Sequence, residues 1–142
     1  MLRISKMADY GTLIMAYLAS HPELALNAKE IAEKTQLTVP TVSKLLKSLT
    51  RAGLLISLRG AQGGYRLAQD AKTITVVHII DALDGGTGLT ECSHSSGLCS
   101  LEQRCALHHN WKFISQTIRN TLNTISLDDL IQKQRTSLEI AV

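Results

Sequence analysis

The chain of 142 residues has the length of one domain, or of one compact domain with a dimerising extension, and its 44% apolar and 19% charged residues are ordinary for a globular protein. No apolar run approaches the roughly 18 residues that span a bilayer, and residues 13–19 are too short and poorly flanked for a secretion signal. We therefore expect a cytoplasmic protein that does not enter the membrane.

Residues 1–72 carry ten Lys/Arg against five Asp/Glu, a net charge of +5, whereas residues 73–142 carry five Lys/Arg against seven Asp/Glu, a net charge of −2. This asymmetry indicates a polyanion-binding first half joined to a second unit.

The chain begins with two predicted helices. The first runs from Ser5 to His21, with apolar residues at helical spacing and Pro22 just beyond its end. The second begins at Asn27, whose side chain can cap the free backbone donors, and Glu30 three residues later completes a capping box.

A third helix follows after a connection of three residues. Thr38 can cap it, Pro40 falls in its first turn, and Gly53 is placed to end it. One face carries an apolar stripe at i, i+3, i+4 and i+7, formed by Val42, Leu45, Leu46 and Leu49. The opposite face combines hydroxyl groups with cations and has no acid: Thr41, Ser43, Lys44, Lys47, Ser48 and Arg51.

A short hairpin is predicted next. Strand-like residues 54–58 and 65–67 flank the glycine-rich turn Arg59-Gly-Ala-Gln-Gly-Gly64. A helix pair followed by a basic, glycine-tipped hairpin is the order of a winged helix-turn-helix. The third helix would enter the major groove of double-stranded DNA, with short side chains near its start approaching base edges, later cations approaching phosphates, and Arg59 carried toward a minor groove. The predicted DNA-contacting residues are Pro40, Thr41, Ser43, Lys44, Lys47, Ser48, Arg51, Arg59 and Gln62. An ordinary amphipathic helix pair with solvated cations is the alternative.

The second half reads as helix, loop and long helix. Thr75 opens a helix that ends at Gly85-Gly86, and a Gly/Ser-rich loop follows. A long amphipathic helix from Leu107 to Thr124 has a coiled-coil-like seam, formed by Leu107, Trp111, Ile114, Ile118, Leu122 and Ile125. Ser126 with Asp129 can cap a last short helix. The predicted fold is mainly α with a small β-hairpin wing, divided into a DNA-binding domain (1–72) and a unit with a cysteine-bearing loop and dimerisation helices (73–142).

All three cysteines lie in what we call the cysteine segment, residues 92–108. Cys92, Cys99, Cys105 and His108 are spaced C-x6-C-x5-C-x2-H, which offers three thiolates and one imidazole to a metal. The wide spacing suits an iron-sulfur cluster better than the tight knuckles of structural zinc. Structural zinc and three unrelated thiols remain alternatives. We expect His94 and His109 to be bystanders.

These features resemble the IscR/NsrR group of bacterial iron-sulfur transcription regulators, also called the Rrf-two family. The resemblance spans nearly the whole chain and is greatest to regulators of SUF-type iron-sulfur assembly operons. It is carried by residues 2–10 (LRISKMADY), 40–46 (PTVSKLL), 58–65 (LRGAQGGY), the three cysteines and 123–130 (NTISLDDL). The chain departs from IscR by one extra residue between the first two cysteines and by Ser43 where IscR has an acidic side chain.

The resemblance implies a homodimer with crossing long helices and a cluster in the loop before each long helix. A two-iron cluster is favoured and a four-iron cluster is the alternative. By matching positions, the three cysteines and His108 are the implied cluster ligands. Asp9 stands where NsrR-like members supply a ligand from the other subunit, although an acid in a first helical turn is also explained by the helix dipole.

The sequence thus predicts a DNA-binding regulator, not an enzyme, that senses cluster status and controls iron-sulfur assembly genes. It contains no Cys-x-x-Cys pair of the kind used by thiol redox enzymes. The alternatives are a winged-helix protein with a structural zinc site, and a repressor that responds to nitric oxide or to redox conditions.

Overall fold

A computed structural model describes residues 3–86 and 88–140 of the chain. Leu2, which begins the N-terminal stretch of the resemblance, lies outside the described residues. Seven helices and two strands occur in the described part, in the order α1 (Lys6–Ala19), α2 (Ala28–Thr35), α3 (Val39–Arg51), β1 (Leu55–Leu58), β2 (Gly64–Leu67), α4 (Val76–Asp84), α5 (Glu91–His94), α6 (His108–Asn123) and α7 (Leu127–Ile140). None of the described helices has the length and apolarity needed to cross a bilayer.

The helix-turn-helix of α2 and α3 forms from local signals. The capping box at the start of α2 is confirmed: the backbone N of Glu30 donates to Asn27 Oδ1 at 2.9 Å, and the backbone N of Asn27 donates to Glu30 Oε2 at 2.7 Å. Thr38 caps α3, and Pro40 lies in its first turn, where its missing N–H leaves no bond unmade. Gln36, between the two helices, adopts a left-handed conformation with φ of 58°.

The hairpin is held against the helices by the chain that precedes α2. β1 and β2 pair antiparallel, with Leu55 opposite Leu67. Leu26 and Tyr65 then exchange two backbone hydrogen bonds, of 3.1 and 2.8 Å. A Cβ on Gly64 would lie 2.6 Å from the carbonyl carbon of Leu26, so this close approach requires glycine. The predicted wing is therefore tied to the segment that leads into α2.

One apolar core draws on both halves of the chain. Its fully buried side chains come from α1, α2, α3, β1, α4, α7 and the segment before α4 and include Ile14, Met15, Leu18, Ile31, Val42, Leu45, Leu46, Leu49, Leu55, Ile74, Ile79 and Leu127. The chain after α6 is also fastened by backbone bonds, from Leu127 N to the Ile74 carbonyl at 2.7 Å and from Val76 N to the Ile125 carbonyl at 3.0 Å. The core thus extends across the position between residues 72 and 73, where the sequence suggested a boundary.

The observed elements follow the predicted order, and the mainly α architecture with a winged helix-turn-helix is confirmed. α6 begins and ends within one residue of the predicted bounds. The last helix was predicted to be short and has 14 residues; its Ser126–Asp129 cap is present, and Ile131 extends the buried face begun by Leu127. The single-turn helix α5 within the predicted loop was not foreseen. α1 ends at Ala19, two residues before the predicted His21.

Candidate DNA-binding face and cysteine segment

The face of α3 opposite its buried stripe lies open to solvent. Lys44, Lys47 and Arg51 are exposed along it, and they form no ion pair among the described residues. Their charge is therefore not neutralised within the described chain. The remaining predicted residues of this face differ in exposure: Pro40 is exposed, and Thr41, Ser43 and Ser48 are partly buried.

The first turn of α3 carries one residue that sequence reasoning missed. Val39 is 44% exposed beside Pro40, at the N-terminal end of α3. In a recognition helix this end contacts the base edges. An apolar side chain there can contact the methyl group of thymine. Its position directly after the Thr38 cap was the signal that could have identified it. The Thr41 hydroxyl, by contrast, lies 2.8 Å from that of Thr38 and takes part in the cap.

The wing adds further exposed polar groups. Arg59 and Gln62 are both exposed in the turn, which is closed by a 2.9 Å bond from Gly63 N to the Gly60 carbonyl. Arg66 on β2 is also exposed and was not predicted. The period-2 alternation of a strand places its side chain opposite that of Tyr65, and this pattern could have identified it.

The first cysteine of the cysteine segment is buried. Cys92 lies in α5 and is 6% exposed, with its Sγ 3.2 Å from the hydroxyl of Thr90. Thr90 also exchanges hydrogen bonds with Ser93 and so fixes the turn that holds Cys92. Cys99 and Cys105 are partly buried in turns farther along, and all three thiols are free.

Glu102 organises the turns between the second and third cysteines. Its carboxylate accepts hydrogen bonds from Gly97 N at 2.6 Å and from the Ser96 hydroxyl at 3.0 Å. The same carboxylate lies 3.7 Å from His108 Nε2 and 4.0 Å from Lys112 Nζ. These partners, the Gly97 N–H first among them, hold the pKa of Glu102 below its usual range. Sequence reasoning missed this residue because its partners follow from the folding of the loop.

His108 lies at the start of α6 with one ring nitrogen unsatisfied. Its Nδ1 is buried and has no hydrogen-bond partner, which is unusual for a buried polar atom. Three free thiols and an unsatisfied imidazole nitrogen fit the donor chemistry of an iron-sulfur cluster. The geometry is a different matter: no three His, Cys, Asp or Glu side chains within residues 3–86 and 88–140 are grouped closely enough to hold a metal ion. The structure therefore does not bring the predicted ligands together, and Asp9 is exposed in the first turn of α1.

The predicted seam of α6 is open along its first half. Leu107, Trp111 and Ile114 are 54%, 38% and 39% exposed, whereas Ile118 and Leu122 are partly buried. Phe113, which is not part of the seam, is 72% exposed.

A winged helix-turn-helix with an unneutralised basic face defines a class of DNA-binding proteins, and the comparisons with known proteins identify the family. The model of the Rrf2 family, described as iron-dependent transcriptional regulators, matches residues 4–133. The chain therefore belongs to the Rrf2 family, which confirms the resemblance found in its sequence motifs. It is a DNA-binding transcriptional regulator, and not an enzyme, as expected.

Named relatives support the same assignment. The chain is 31% identical to the IscR transcriptional regulator of Xenorhabdus nematophila over 94% of this chain and 81% of that protein, and 31% identical to IscR of Vibrio vulnificus over 92% and 77%. Among solved structures, IscR of T. potens matches with a TM-score of 0.72 and 31% identity over 94% of this chain and 88% of that one. CymR, the global cysteine regulator of B. subtilis, matches with a TM-score of 0.71 and 30% identity over 94% and 98%.

Proposed function

We propose that this Rrf2-family regulator binds operator DNA as a cytoplasmic homodimer, with an affinity set by an iron-sulfur cluster, and that it controls genes for iron-sulfur cluster assembly. Cys92, Cys99, Cys105 and His108 would hold the cluster. The observation that carries the proposal is the pairing, in one chain, of a free basic face with three free thiols and a buried, unpartnered imidazole nitrogen.

DNA reading is assigned to α3 and the wing. The exposed lysines and arginine of α3 supply phosphate contacts, and the short side chains near its start supply base contacts. Arg59 at the wing tip is assigned to a minor groove, whose narrow stretches attract arginine. Val39 joins the predicted residues because it is exposed at the start of α3, and Arg66 joins them because it is exposed on the wing strand β2.

The homodimer is supported by the open seam of α6. Leu107, Trp111 and Ile114 recur at i, i+4 and i+7 and present a continuous apolar stripe to solvent. Such a stripe on a long helix is covered best by the same stripe of a second copy, since a two-fold interface is self-complementary. Two recognition helices would then face half-sites about one DNA turn apart.

The cysteine segment is suited to rearrangement around a cluster. Between α5 and α6, residues 95–107 form turns without helix or strand. Gathering Cys99 and Cys105 toward Cys92 therefore breaks no regular secondary structure. A two-iron cluster remains the favoured form, and Asp9 of the partner subunit remains the alternative fourth ligand.

The test is anaerobic purification followed by iron, sulfide and zinc analysis and a visible absorption spectrum. His108→Ala is compared with wild type, and His109→Ala is the matched control because that imidazole is the exposed neighbour. We expect iron and sulfide in wild type and in the control, with a chromophore altered only by His108→Ala. A chromophore altered by Asp9→Ala instead would move the fourth ligand to Asp9, and stoichiometric zinc without colour would refute cluster sensing.

A redox-responsive repressor is the second candidate function. It is favoured by the partial exposure of Cys99 and Cys105 as free thiols, since accessible thiols are those that oxidise. Metal-free protein whose DNA affinity changes on mild oxidation, and recovers on reduction, would support this candidate over the cluster sensor.

A further inference from the structure

Helix α6 is attached to the rest of the described chain through few side chains. Ser115 is the one buried α6 residue in the described part, and the apolar side chains at the start of the helix face solvent. Polar contacts therefore contribute to the position of α6, in addition to the partly buried Ile118 and Leu122.

One such contact joins α6 to the cysteine segment. The backbone N of Leu89 donates to Ser115 Oγ at 3.3 Å. Leu89 lies directly before Thr90, whose side chain contacts the Cys92 thiol. A displacement of Cys92 would therefore reach α6 at Ser115.

The second contact lies one helical turn farther along the same face, at Arg119. Its guanidinium forms a two-pronged pair with the carboxylate of Asp81 on α4, with Nη1 donating to Oδ1 at 2.8 Å and Nη2 donating to Oδ2. Both side chains are about one third exposed, and the pairing raises the pKa of Arg119 above its usual range. A planar fork of this kind fixes orientation as well as distance, which a single hydrogen bond does not.

Helix α4 in turn packs on the DNA-reading unit. Ile79 and Ile80, next to Asp81, are buried, and α4 contacts both α1 and the recognition helix α3. Gly11 of α1 lies directly under Leu83 of α4, since a Cβ on Gly11 would overlap the end of that side chain. The interface between α4 and α1 is therefore closely packed, and a shift of α4 displaces its neighbours.

We propose that Arg119 and Asp81 are positioning residues that transmit the state of the cysteine segment, through α6 and α4, to the recognition helix α3. This inference rests on the proposed cluster-dependent DNA binding. The pair carries the signal because its two-pronged geometry fixes the middle of α6 against α4, whereas the hydrogen bond from Thr75 to Asn123 lies at the far end of α6 and Ser115 connects α6 to the turn before Cys92.

The experiment measures operator affinity with and without the cluster. The DNA is a duplex selected by the wild-type protein from a random-sequence pool, and binding is followed by fluorescence anisotropy for anaerobically reconstituted and for metal-free protein. Arg119→Lys keeps the charge and removes the fork, and Asp81→Asn keeps the shape and removes the charge. Asp128→Asn is the matched control, because Asp128 is a carboxylate on α7 that accepts its hydrogen bond from Gln132 of the same helix.

We expect wild type and Asp128→Asn each to differ in DNA affinity between the reconstituted and the metal-free state by at least about fivefold, the lower range of allosteric coupling. Arg119→Lys and Asp81→Asn should keep the cluster absorbance and the DNA affinity of the metal-free protein. In these two variants, the ratio of DNA affinities with and without the cluster should fall to within about twofold of one. The positioning role would be overturned if both variants kept the wild-type ratio of the two DNA affinities, or if they lost the cluster. Neither result would contradict the proposed function. A ratio of one in wild type would instead overturn the proposed function, and the inference with it.

Amide hydrogen exchange of the wild type keeps the test decisive if the variants do not fold. Transmission through the pair requires that reconstitution change the protection of α6 and α4 together. A change confined to α6 and the cysteine segment would refute it.

Discussion

Replacing Leu127 with alanine tests whether the chain beyond α6 is part of the fold of the DNA-reading unit. Leu127 has no exposed surface and lies in the same core as Ile14 and Leu46, although more than 80 positions separate it from either. The substitution removes three carbon atoms, worth about 0.8 kcal/mol each when buried. The cavity left behind adds to this loss, so we expect the free energy of unfolding to fall by about 2–5 kcal/mol.

The assay is urea unfolding followed by circular dichroism, at one fixed protein concentration because dimerisation would itself stabilise the fold. Leu24→Ala is the matched control, since Leu24 is 50% exposed between α1 and α2 and should lose less than about 1 kcal/mol. Equal losses in the two variants would refute the assignment of Leu127 to the core. The same reasoning predicts that a fragment of residues 1–72 does not fold by itself.

Three further predictions concern DNA, the dimer and pH. Arg59→Ala should weaken binding to a selected operator and relax any minor-groove preference. Lys47→Ala should weaken binding to all DNA alike and reduce the slope of log affinity against log salt concentration by about 1. Equal effects of the two substitutions in salt titrations would contradict the assignment. Trp111→Asp should convert a dimer to a monomer in sedimentation velocity, because it places a charge in the apolar seam, and a persistent dimer would exclude this face. Hydrogen bonds from Ser126 lower the pKa of Asp129, so its carboxylate stabilises the fold above its unfolded pKa and ceases to do so as pH falls through the lower folded value. The stability advantage of wild type over Asp129→Asn should therefore disappear in acid, and an advantage that persists at the lowest pH would refute the cap.

Much of the helix-turn-helix could be predicted because its signals are local. The capping box at Asn27 and the stripe around Leu45 both depend on residues within one or two helical turns. The glycine-rich turn predicted the hairpin in the same way, and Gly60 in that turn has a φ of +110°. Such features are fixed by a few neighbouring residues before any tertiary contact forms.

The connections between elements could not be predicted in this way. Asp81 and Arg119, which form an ion pair, are 38 positions apart in the sequence. Thr75 and Asn123, whose side chains are hydrogen-bonded, are 48 positions apart. Neither pair leaves a periodic signal, because each partner reads alone as an ordinary exposed polar residue. The seam of α6 is an intermediate case: its spacing was visible, but the burial of Ile118 and the exposure of Trp111 depend on how the helix docks.

The arrangement of the predicted cluster ligands could not be predicted from the sequence either. Spacing placed three thiols and an imidazole in one short segment, and the structure adds that Glu102 occupies the centre of its turns. The arrangement of the donors cannot be read from spacing, since residues 95–107 have no helix or strand to fix it.

The backbone pairing of Leu26 with Tyr65 joins the wing to the segment that leads into α2. Because the wing is bonded to the chain entering α2, a movement of β2 away from that chain would break these two bonds. In the proposed homodimer, a signal that leaves each winged helix-turn-helix intact would change the spacing or rotation between the two copies on DNA. Operators that differ only in the number of central base pairs would then rank differently in the two states of the protein, while substitutions within a half-site would rank alike.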